Sequence, residues 1–298
     1  MNLTSDSKVL VQGLTKAVST NTVLMMKSYG TNVVAGVSIG EGGGKWHEIP
    51  VFDLVEQAQT KVGPIDTSVI VVPPYSVLDA ASEAIAAGIR QIAIITDGVP
   101  PLDMVKLLAK AEKTDTLVVG PNCAGIIVPN KLLLGSHPAE FYTPGSVGII
   151  SRSNTLSYEV ANELTRAKLG QSICASIGSD EIIGSSFIQW LQILDEDEDT
   201  DAIVLVGEVG SGREEAAASY IAETIDKPAI AYIAGIHSPV QKTLSHANNL
   251  MSSRAAALQL EGIGTAESIK RAFKAAKIPI AERPSQIPSL VKKALKKK

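Results

Sequence analysis

A hydroxyl-rich turn follows an apolar run near the middle of the chain. Residues 146–159 read SVGIISRSNTLSYE, so a strand pattern passes through Ser153, Asn154 and Thr155 directly into a helical pattern. Free backbone N–H groups and the positive end of a helix converge at such a start, and both attract anions. A simple helix cap would also explain Ser153 or Asn154 alone. Because several other strand ends carry similar loops, we predict a phosphate-binding turn here.

One of the four histidines lies in a context that favours chemistry. His246 falls within residues 234–267, an irregular stretch of a kind that is usually functional or mobile in a compact domain. Glu208 ends the apolar run AIVLVGE, where a carboxylate would reach the ligand crevice of a parallel sheet. An imidazole can accept a phosphoryl group, and a carboxylate on its other nitrogen would fix the tautomer. Phosphoryl relay is therefore chemically sensible for this pair, while an exposed loop carboxylate would also explain Glu208 alone. The other histidines are expected to be structural or exposed: His47, His137 and His237.

Alternating strands and helices must position these groups. Over residues 9–120, five short apolar runs are separated by amphipathic helical patterns, which predicts a mostly parallel sheet covered on both faces. An irregular stretch with four prolines follows, and the alternation then restarts at VGIIS. We therefore predict an α/β protein with a Rossmann-like domain over residues 1–125 and a second doubly wound domain over residues 126–298.

Composition narrows the class of protein. Aromatic residues make up only 4% of the 298 residues, which suits strands buried between two layers of helices. A net charge of -4 gives no general attraction for nucleic acid or for an anionic membrane, and no apolar stretch approaches a membrane-spanning length. The two cysteines are too few for a disulfide framework or a metal site. Since no targeting segment is recognisable, we expect a cytoplasmic protein.

Several motifs together resemble a known family. The order of GPNCAG at 120–125, SRSNTLSYE at 151–159, the strand ends IGSD and GEVG, and HANN around His246 is similar to the alpha subunit of succinyl-CoA synthetase, the succinate–CoA ligase family. The likeness spans nearly the whole chain. It implies a CoA-binding Rossmann domain followed by a flavodoxin-like ligase domain, and pairing with a beta subunit whose ATP-grasp domain binds ATP or GTP with Mg.

The resemblance also implies roles for individual residues. His246 matches the histidine that is phosphorylated and then passes its phosphoryl group to a carboxylic acid, whose acyl phosphate is captured by CoA. Glu208 matches the glutamate that holds this histidine, and Tyr158 matches a position beside the acid substrate. The turn already described matches the phosphate cradle: Ser153, Asn154 and Thr155. The positions that match the CoA site are Thr15, Lys16, Ala17, Val18, Glu41, Ile95, Thr96 and Asp97.

Some ligand loops depart from the family pattern. The first loop keeps Gly13 and Thr15 of G-x-T-G-x-x-G but loses two glycines, and Glu41 replaces the lysine of P-G-K-G-G. Further glycines of the family are replaced by Asn154, Ser179 and Ser211. Ala124 replaces a common proline, and an insertion near MSSRAAALQ follows the HANN motif. Because a Cβ limits close approach of a backbone to phosphate, these changes predict weaker ligand contact on an intact fold.

Three functions fit parts of this pattern. The first is an active alpha subunit that forms succinyl-CoA, with malate or citrate as alternative acids. The second is a diverged, weakly active or inactive paralogue that acts as a CoA-binding or regulatory subunit. The third, an NAD-dependent dehydrogenase, needs G-x-G-x-x-G after the first strand, and Gly13 lacks the following glycines. We favour the first function. The choice between ATP and GTP, and between an αβ and an α₂β₂ assembly, is left open by the sequence.

Overall fold

The computed structural model describes residues 3–15, 17–237 and 262–296, and these form two compact units. Unit 1 comprises residues 1–139 and 177–185, and unit 2 comprises residues 140–176 and 186–298. Each unit contains parallel strands connected by helices, which confirms the predicted α/β class. The predicted domain ranges 1–125 and 126–298 do not coincide with these units and stay a prediction.

Unit 1 is built on a sheet whose central strands are fully buried. Its strands are β1 (Val9–Gln12), β2 (Val33–Val37), β3 (Lys45–Trp46), β4 (Ile49–Phe52), β5 (Thr67–Ile70), β6 (Gln91–Ile94) and β7 (Leu117–Val119). The order is β3-β4-β2-β1-β5-β6-β7, and every neighbouring pair is parallel except β3 with β4. The sequence of strands reverses direction between β1 and β5, and ligands bind at such a point in open sheets.

Four helices connect these strands. They are α1 (Ala17–Tyr29), α2 (Val55–Val62), α3 (Val77–Ala86) and α4 (Pro101–Lys113). The connection through α1 runs from β1 toward β2, whereas those through α2, α3 and α4 run the other way. Because right-handed crossovers in opposite directions lie on opposite faces, α1 covers one face of the sheet and the other three helices cover the second.

A hairpin occupies the stretch after Gly120 that the sequence predicted to be irregular. Strands β8 (Gly125–Val128) and β9 (Leu132–Gly135) pair in antiparallel register, and both are completely buried. The turn between them contains Asn130, whose φ of 60° is in the left-handed region that asparagine tolerates. The prediction was wrong because the four prolines masked two short apolar runs.

Unit 2 contains a second set of parallel strands. They are β10 (Pro144–Ser151), β11 (Gln171–Ser176), β12 (Ala202–Glu208), β13 (Ala229–Ala234) and β14 (Ile280–Ala281), in the order β14-β13-β12-β10-β11. The chain runs from β10 to β11 in one direction and from β12 to β14 in the other. The reversal therefore lies between β10 and β12, at the ends of the two strands that carry the predicted phosphate turn and Glu208.

The helices of unit 2 complete a doubly wound arrangement. They are α5 (Asn154–Arg166), α6 (Phe187–Glu196), α7 (Arg213–Thr224), α8 (Ala266–Ala275) and α9 (Ile287–Leu295). Helix α5 packs with α9, whereas α7 packs with both α6 and α8. Short 3₁₀ turns occur at Pro74–Ser76, Ala139–Phe141 and Pro284–Gln286. Within the described ranges, no helix combines the length and the apolar character needed to cross a bilayer.

A histidine is buried just after β9. His137 is fully buried, and its Nε2 lies 3.1 Å from the carbonyl oxygen of Gly125. Burial disfavours the charged imidazolium and lowers the pKa of His137 to about 4. His137 therefore has a structural role: it is buried in its neutral form and donates a hydrogen bond to the Gly125 carbonyl.

We expect His137 to make the stability of unit 1 pH-dependent. The pKa of an unfolded histidine is about 6.5, so below that pH the unfolded chain binds a proton that the folded unit excludes. The stabilisation is therefore complete above pH 6.5 and is lost as the pH falls toward 4, by about 3 kcal/mol in total. Calorimetry of His137→Gln should give a shallower decline with pH than the wild type. The exposed His47→Gln is the control for removal of a histidine, and identical slopes for wild type and His137→Gln would contradict the assignment.

Candidate functional site in unit 2 and the strand ends of unit 1

An ion pair joins the two strand ends at the reversal point of unit 2. Arg152 follows β10 and Glu208 ends β12, and Arg152 Nη2 lies 3.2 Å from Glu208 Oε1. The Arg152 side chain is only 4% exposed and that of Glu208 is 15% exposed. The guanidinium is therefore almost withdrawn from water, while the carboxylate keeps one side within reach of a further group.

Two more residues turn this pair into a closed ring. Arg152 Nη1 donates to Ser211 Oγ at 3.3 Å, and the Ser211 hydroxyl donates to Glu214 Oε2 at 2.8 Å. The other oxygen of Glu214 accepts the backbone N–H of Glu208 at 3.1 Å. The ring thus holds Glu208 twice, by its side chain and by its main chain. We call these four residues, Arg152, Glu208, Ser211 and Glu214, the carboxylate ring.

The electrostatics of the ring are dominated by burial. Glu214 is fully buried in the first turn of α7, and desolvation raises the pKa of its carboxyl. The Arg152 guanidinium and the hydrogen bonds from Glu208 and Ser211 act in the opposite direction and lower that pKa. A buried carboxylate is tolerated when it is hydrogen-bonded and lies near a cation; Glu214 accepts hydrogen bonds from Glu208 and Ser211, and Arg152 is the nearby cation.

The predicted phosphate turn forms the N-terminus of α5. Ser153 caps the helix, since its Oγ accepts the Leu156 N–H at 3.3 Å. Asn154 is the first helical residue, and its Oδ1 accepts the Ser176 hydroxyl at 2.7 Å. Thr155 is exposed. The turn therefore combines a helix N-terminus with the neighbouring Arg152, and both favour an anion.

The replaced glycines are accommodated without backbone strain. Asn154, Ser179 and Ser211 do not occur among the described non-glycine residues with positive φ. Each side chain makes a hydrogen bond instead: Asn154 with Ser176, Ser211 with Glu214, and the longer contact of 3.5 Å from Ser179 Oγ to the Asn122 carbonyl. These three positions therefore do not need glycine for their backbone conformation, and the weaker ligand contact expected from the added Cβ atoms stays a prediction.

Tyr158 lies one turn into α5. It is half-buried, and its ring stacks on Phe141 with centroids 5.9 Å apart and an angle of 28° between the planes. Such offset stacking fixes the plane of an aromatic ring. The predicted position beside an acid substrate remains a prediction, but the tyrosine is held on a defined partner.

The strand ends of unit 1 carry the residues predicted to bind CoA. Gly13, directly after β1, has a φ of 89°, and a Cβ there would lie 2.4 Å from the Val71 carbonyl oxygen, so the retained glycine is required. The Thr15 hydroxyl donates to Ser38 Oγ at 2.7 Å, which joins the loops after β1 and β2. The buried Ser19, in place of a family glycine, donates to the carbonyls of Gly13 and Leu14.

The loop after β2 is held by a carboxylate of its own. Asp53 Oδ1 accepts the N–H groups of Gly40 at 2.7 Å and of Gly42 at 3.1 Å. Glu41, between them, is exposed, and so is Ile39, at 83%. The loop therefore presents a negative and an apolar side chain to solvent while part of its backbone is already bonded.

The strand end after β6 is joined to the same edge of the sheet. Ile95 is half-buried, and Asp97 is exposed. The Thr96 hydroxyl donates to the Val72 carbonyl after β5 at 2.7 Å. Tyr75, in the turn that follows β5, is 83% exposed. Parallel strands thus bring Thr15, Glu41 and the residues 95–97 to one edge of unit 1, as their positions in the sequence predicted.

Part of the predicted site lies outside the described residues. Lys16 and His246 belong to this part, and the side chains of Ala17 and Val18, at the start of α1, are likewise not described. Among the residues that are described, no group of three or more His, Cys, Asp or Glu side chains is arranged to hold a metal ion.

Sequence reasoning missed three members of the carboxylate ring. In the sequence, Arg152 is distinguished only as part of the SRSNT motif, and Ser211 only as a departure from the family's glycine. Glu214 carried a usable signal: residues 214, 217, 218 and 221 form the buried stripe of α7, so a glutamate occupies an apolar helical position. A charged residue on such a stripe indicates a buried partner of opposite charge.

Comparison with known families agrees with the motif order. The family model described as CoA binding domain matches residues 4–98, and the one described as CoA-ligase matches residues 150–278. Succinate–CoA ligase [ADP-forming] subunit alpha 2 of Archaeoglobus fulgidus is 40% identical over 289 residues, 97% of each chain. The corresponding alpha subunit of Aquifex aeolicus is 40% identical over 98% of this chain and 93% of its own. The chain belongs to the succinate–CoA ligase alpha-subunit family.

Relatives of this family differ in their named substrate. Malate–CoA ligase subunit alpha of Methylorubrum extorquens is 40% identical over 85% of this chain and 87% of its own. Among solved structures, an ATP citrate lyase from Methanothrix soehngenii has a TM-score of 0.83 at 20% identity, which shows the shared fold. It covers 100% of this chain, and this chain spans about half, 51%, of that longer one.

We expect Asn154 to be an adapted residue rather than an obstruction. Asn154→Ala keeps the Cβ but removes the acceptor of the Ser176 hydroxyl, and should lower the free energy of unfolding of unit 2 by about 1 kcal/mol. Asn154→Gly should cost up to about 1 kcal/mol more, because glycine is a poor helix former. Urea unfolding followed by the fluorescence of the buried Trp190 measures both changes. A glycine variant more stable than the alanine variant would show that the Cβ is strained in this succinate–CoA ligase relative.

Proposed function

We propose that the chain is the alpha subunit of an acid–CoA ligase that forms succinyl-CoA from succinate, CoA and a nucleoside triphosphate through phosphorylation of His246. The observation that carries the proposal is the carboxylate ring at the reversal point of unit 2. It places a partly exposed Glu208 and a buried Arg152 beside the N-terminus of α5. Family membership over almost the whole chain supports the same assignment.

Two members of the carboxylate ring and the adjacent N-terminus of α5 each suit one part of a phosphoryl relay. The N-terminus of α5 offers N–H donors and positive potential to the phosphoryl oxygens, and Arg152 adds a full positive charge nearby. The Glu208 carboxylate accepts a hydrogen bond from one nitrogen of the histidine, which leaves the other nitrogen as nucleophile and stabilises the charged ring. These contacts are made by groups already in place before a ligand binds, which is the condition for electrostatic catalysis.

The strand ends of unit 1 are the proposed CoA site. Thr15 and the start of α1 lie where a phosphate of CoA would meet the N-terminus of a helix. The exposed Ile39 and Tyr75 suit the apolar and ring portions of CoA. Bound CoA supplies the thiol that takes the acyl group. Thr96 and Asp97 complete the same edge.

The acid and the nucleotide complete the proposal. The named relatives act on succinate or malate, so a small dicarboxylic acid is the proposed substrate class, with succinate first and malate or citrate as competitors. Relatives that are named as alpha subunits imply a beta partner, which we propose to hold ATP or GTP with Mg. Cytoplasmic location remains part of the proposal.

Labelling of His246 tests the function directly. The chain, purified with its own beta partner, is incubated with Mg and γ-labelled ATP, and then separately with GTP. We expect acid-labile, base-stable label that disappears when succinate and CoA are added, and a comparison with malate and citrate gives the acid preference. His246→Asn should remove the label without changing the fold.

The neighbouring histidine provides the control. His237 is exposed in the loop that follows β13, and His237→Asn should retain the label. Label on the His246→Asn variant would refute the phosphohistidine. Absence of label in a stable wild-type complex would instead favour the second function, a silent paralogue that binds CoA or regulates its partner.

The charge at position 41 gives a test of the CoA site. Glu41→Lys restores the family's cation at an exposed position where we expect a CoA phosphate, so it should tighten CoA binding about threefold to tenfold at low salt. Calorimetric titration at two ionic strengths measures the gain, which should shrink at high salt. Glu48→Lys changes the charge by the same amount on an exposed residue in the β3–β4 turn, and serves as the control. Equal gains in both variants would show that only net charge matters and would contradict the assigned site.

A further inference from the structure

Glu208 is held by contacts that its own proposed role does not require. Its carboxylate faces Arg152, and its backbone N–H donates to the buried carboxylate of Glu214. We propose that Glu214 and Ser211 are positioning residues that fix the main chain and the Arg152 partner of Glu208, so that its carboxylate is aimed at the reacting histidine. That the carboxylate faces the histidine rests on the proposed function; that Glu214 and Ser211 position Glu208 does not.

The geometry gives the ring two separate effects on one residue. The Arg152 guanidinium sets where the Glu208 carboxylate lies, and the Glu214 carboxylate sets the peptide from which that side chain begins. Ser211 connects the two, because its oxygen accepts from Arg152 and its hydrogen is donated to Glu214. Removing Glu214 therefore releases the Glu208 N–H and the Ser211 hydroxyl together. A shift of about 1 Å at a reacting group can cost about a hundredfold in rate.

The strand itself is shaped around Glu214. A Cβ at Gly207 would lie 2.7 Å from Glu214 Cγ and 3.0 Å from its Oε1, so only glycine leaves room for this side chain beneath β12. Glu214 also occupies a position on the buried stripe of α7 where alanine residues follow it. A carboxylate costs free energy at such a site, and an apolar residue would fill it more cheaply. Both observations indicate that the carboxylate serves the strand end rather than the core.

Ser211 makes the positioning specific to this chain. The family pattern that the sequence resembles has glycine at this place, and glycine offers no bridge between Arg152 and Glu214. Here the hydroxyl occupies that bridge with an ordinary backbone conformation. Serine in place of glycine at position 211, one of the changes that predicted weaker ligand contact, thus adds a link to the carboxylate ring.

A matched pair of carboxylates on α7 makes the test sharp. Glu214→Gln keeps the size of the side chain but puts an amide into the ring. Glu215→Gln, one residue on, disturbs a comparable set of contacts, because Glu215 Oε1 accepts from the Gly264 N–H at 2.8 Å and from the Ser268 hydroxyl at 2.6 Å. Over the described residues, the hydrogen bonds of Glu215 are to Gly264 and Ser268 rather than to Glu208 or Arg152, so the two variants separate positioning from general stability.

The variants are compared in the complex with the beta partner. Glu214→Gln should lower the rate constant for labelling of His246 by about tenfold to a hundredfold while leaving the KM for nucleotide unchanged. Ser211→Ala should give a smaller loss in the same parameter, and the double variant should lose less than the product of the two, because both act through one ring. Glu215→Gln should retain the wild-type rate even where its melting temperature falls. Equal rate losses for Glu214→Gln and Glu215→Gln, or full additivity with Ser211→Ala, would overturn the positioning role.

A structural readout keeps the inference separate from the proposed function. Crystal structures of the wild-type chain and of Glu214→Gln should show the Arg152–Glu208 contact of 3.2 Å in the first and its displacement in the second. An unmoved Glu208 and Arg152 in Glu214→Gln would refute the positioning, whether or not His246 is labelled. If the wild type gives no label but Glu208 moves in the variant, the phosphohistidine is refuted and the positioning stands. Ser211→Ala, which removes only a hydroxyl, provides the same comparison if Glu214→Gln does not fold.

Discussion

The site of unit 2 depends on one buried guanidinium that is paired with the Glu208 carboxylate and linked through Ser211 to the Glu214 carboxylate. Arg152 is almost completely withdrawn from water, and its charge must be balanced where it lies. One carboxylate would balance the charge; the second, from Glu214, binds main-chain and hydroxyl donors and converts an ion pair into a ring. Each member contacts two others, so the side chains of Arg152, Ser211 and Glu214 cannot turn without breaking two contacts, and Glu208 is held by its side chain and its main chain. The Glu208 carboxylate is therefore a rigidly held hydrogen-bond acceptor at the carboxyl end of β12.

The sheet topology explains why the ring forms at this place. Strands β10 and β12 are neighbours at the reversal point, so the loops after them meet no helix that crosses between them. Arg152 and Glu208 follow directly from these strands, and α7 returns from the second loop to place Glu214 beneath them. The strand order therefore brings together the members of the carboxylate ring, of which Arg152 and Glu214 are the farthest apart in the sequence, by 62 positions.

Sequence reasoning reached the parts of this arrangement that have a local pattern. The strands, the helix that begins at Ser153 and the carboxylate that ends β12 follow from hydrophobic periodicity and capping chemistry. The ring could not be reached in this way, since its hydrogen bonds join two loops and a helix, and no spacing within one element encodes them. The prediction of an irregular stretch at the β8–β9 hairpin was wrong for another reason. Proline is typical of irregular chain, but Pro129 lies in the turn between two apolar strands.

Some glycines of the family pattern are kept in this chain and others are replaced, and the two groups differ in whether a Cβ would fit. Gly13 and Gly207 are kept, and in each case a Cβ would lie within 3 Å of a neighbouring atom. Asn154, Ser179 and Ser211 replace glycines at positions without positive φ, and their side chains supply hydrogen bonds that a glycine lacks. Loss of a glycine therefore weakens a loop only where space or backbone conformation demands it.

The same distinction bears on how the two units would hold phosphate. An anion at a helix N-terminus is bound by main-chain N–H groups, which a change of side chain does not remove. The N-termini of α5 and α1 thus keep their donors in spite of the altered residues beside them. A charge such as that of Glu41 acts differently, because it adds repulsion over several ångströms whatever the backbone does. Under the proposed function, divergence of the ligand loops is consequently expected to change the affinity for CoA in unit 1 before it changes the proposed phosphoryl chemistry of unit 2, where Ser211 adds a link to the carboxylate ring.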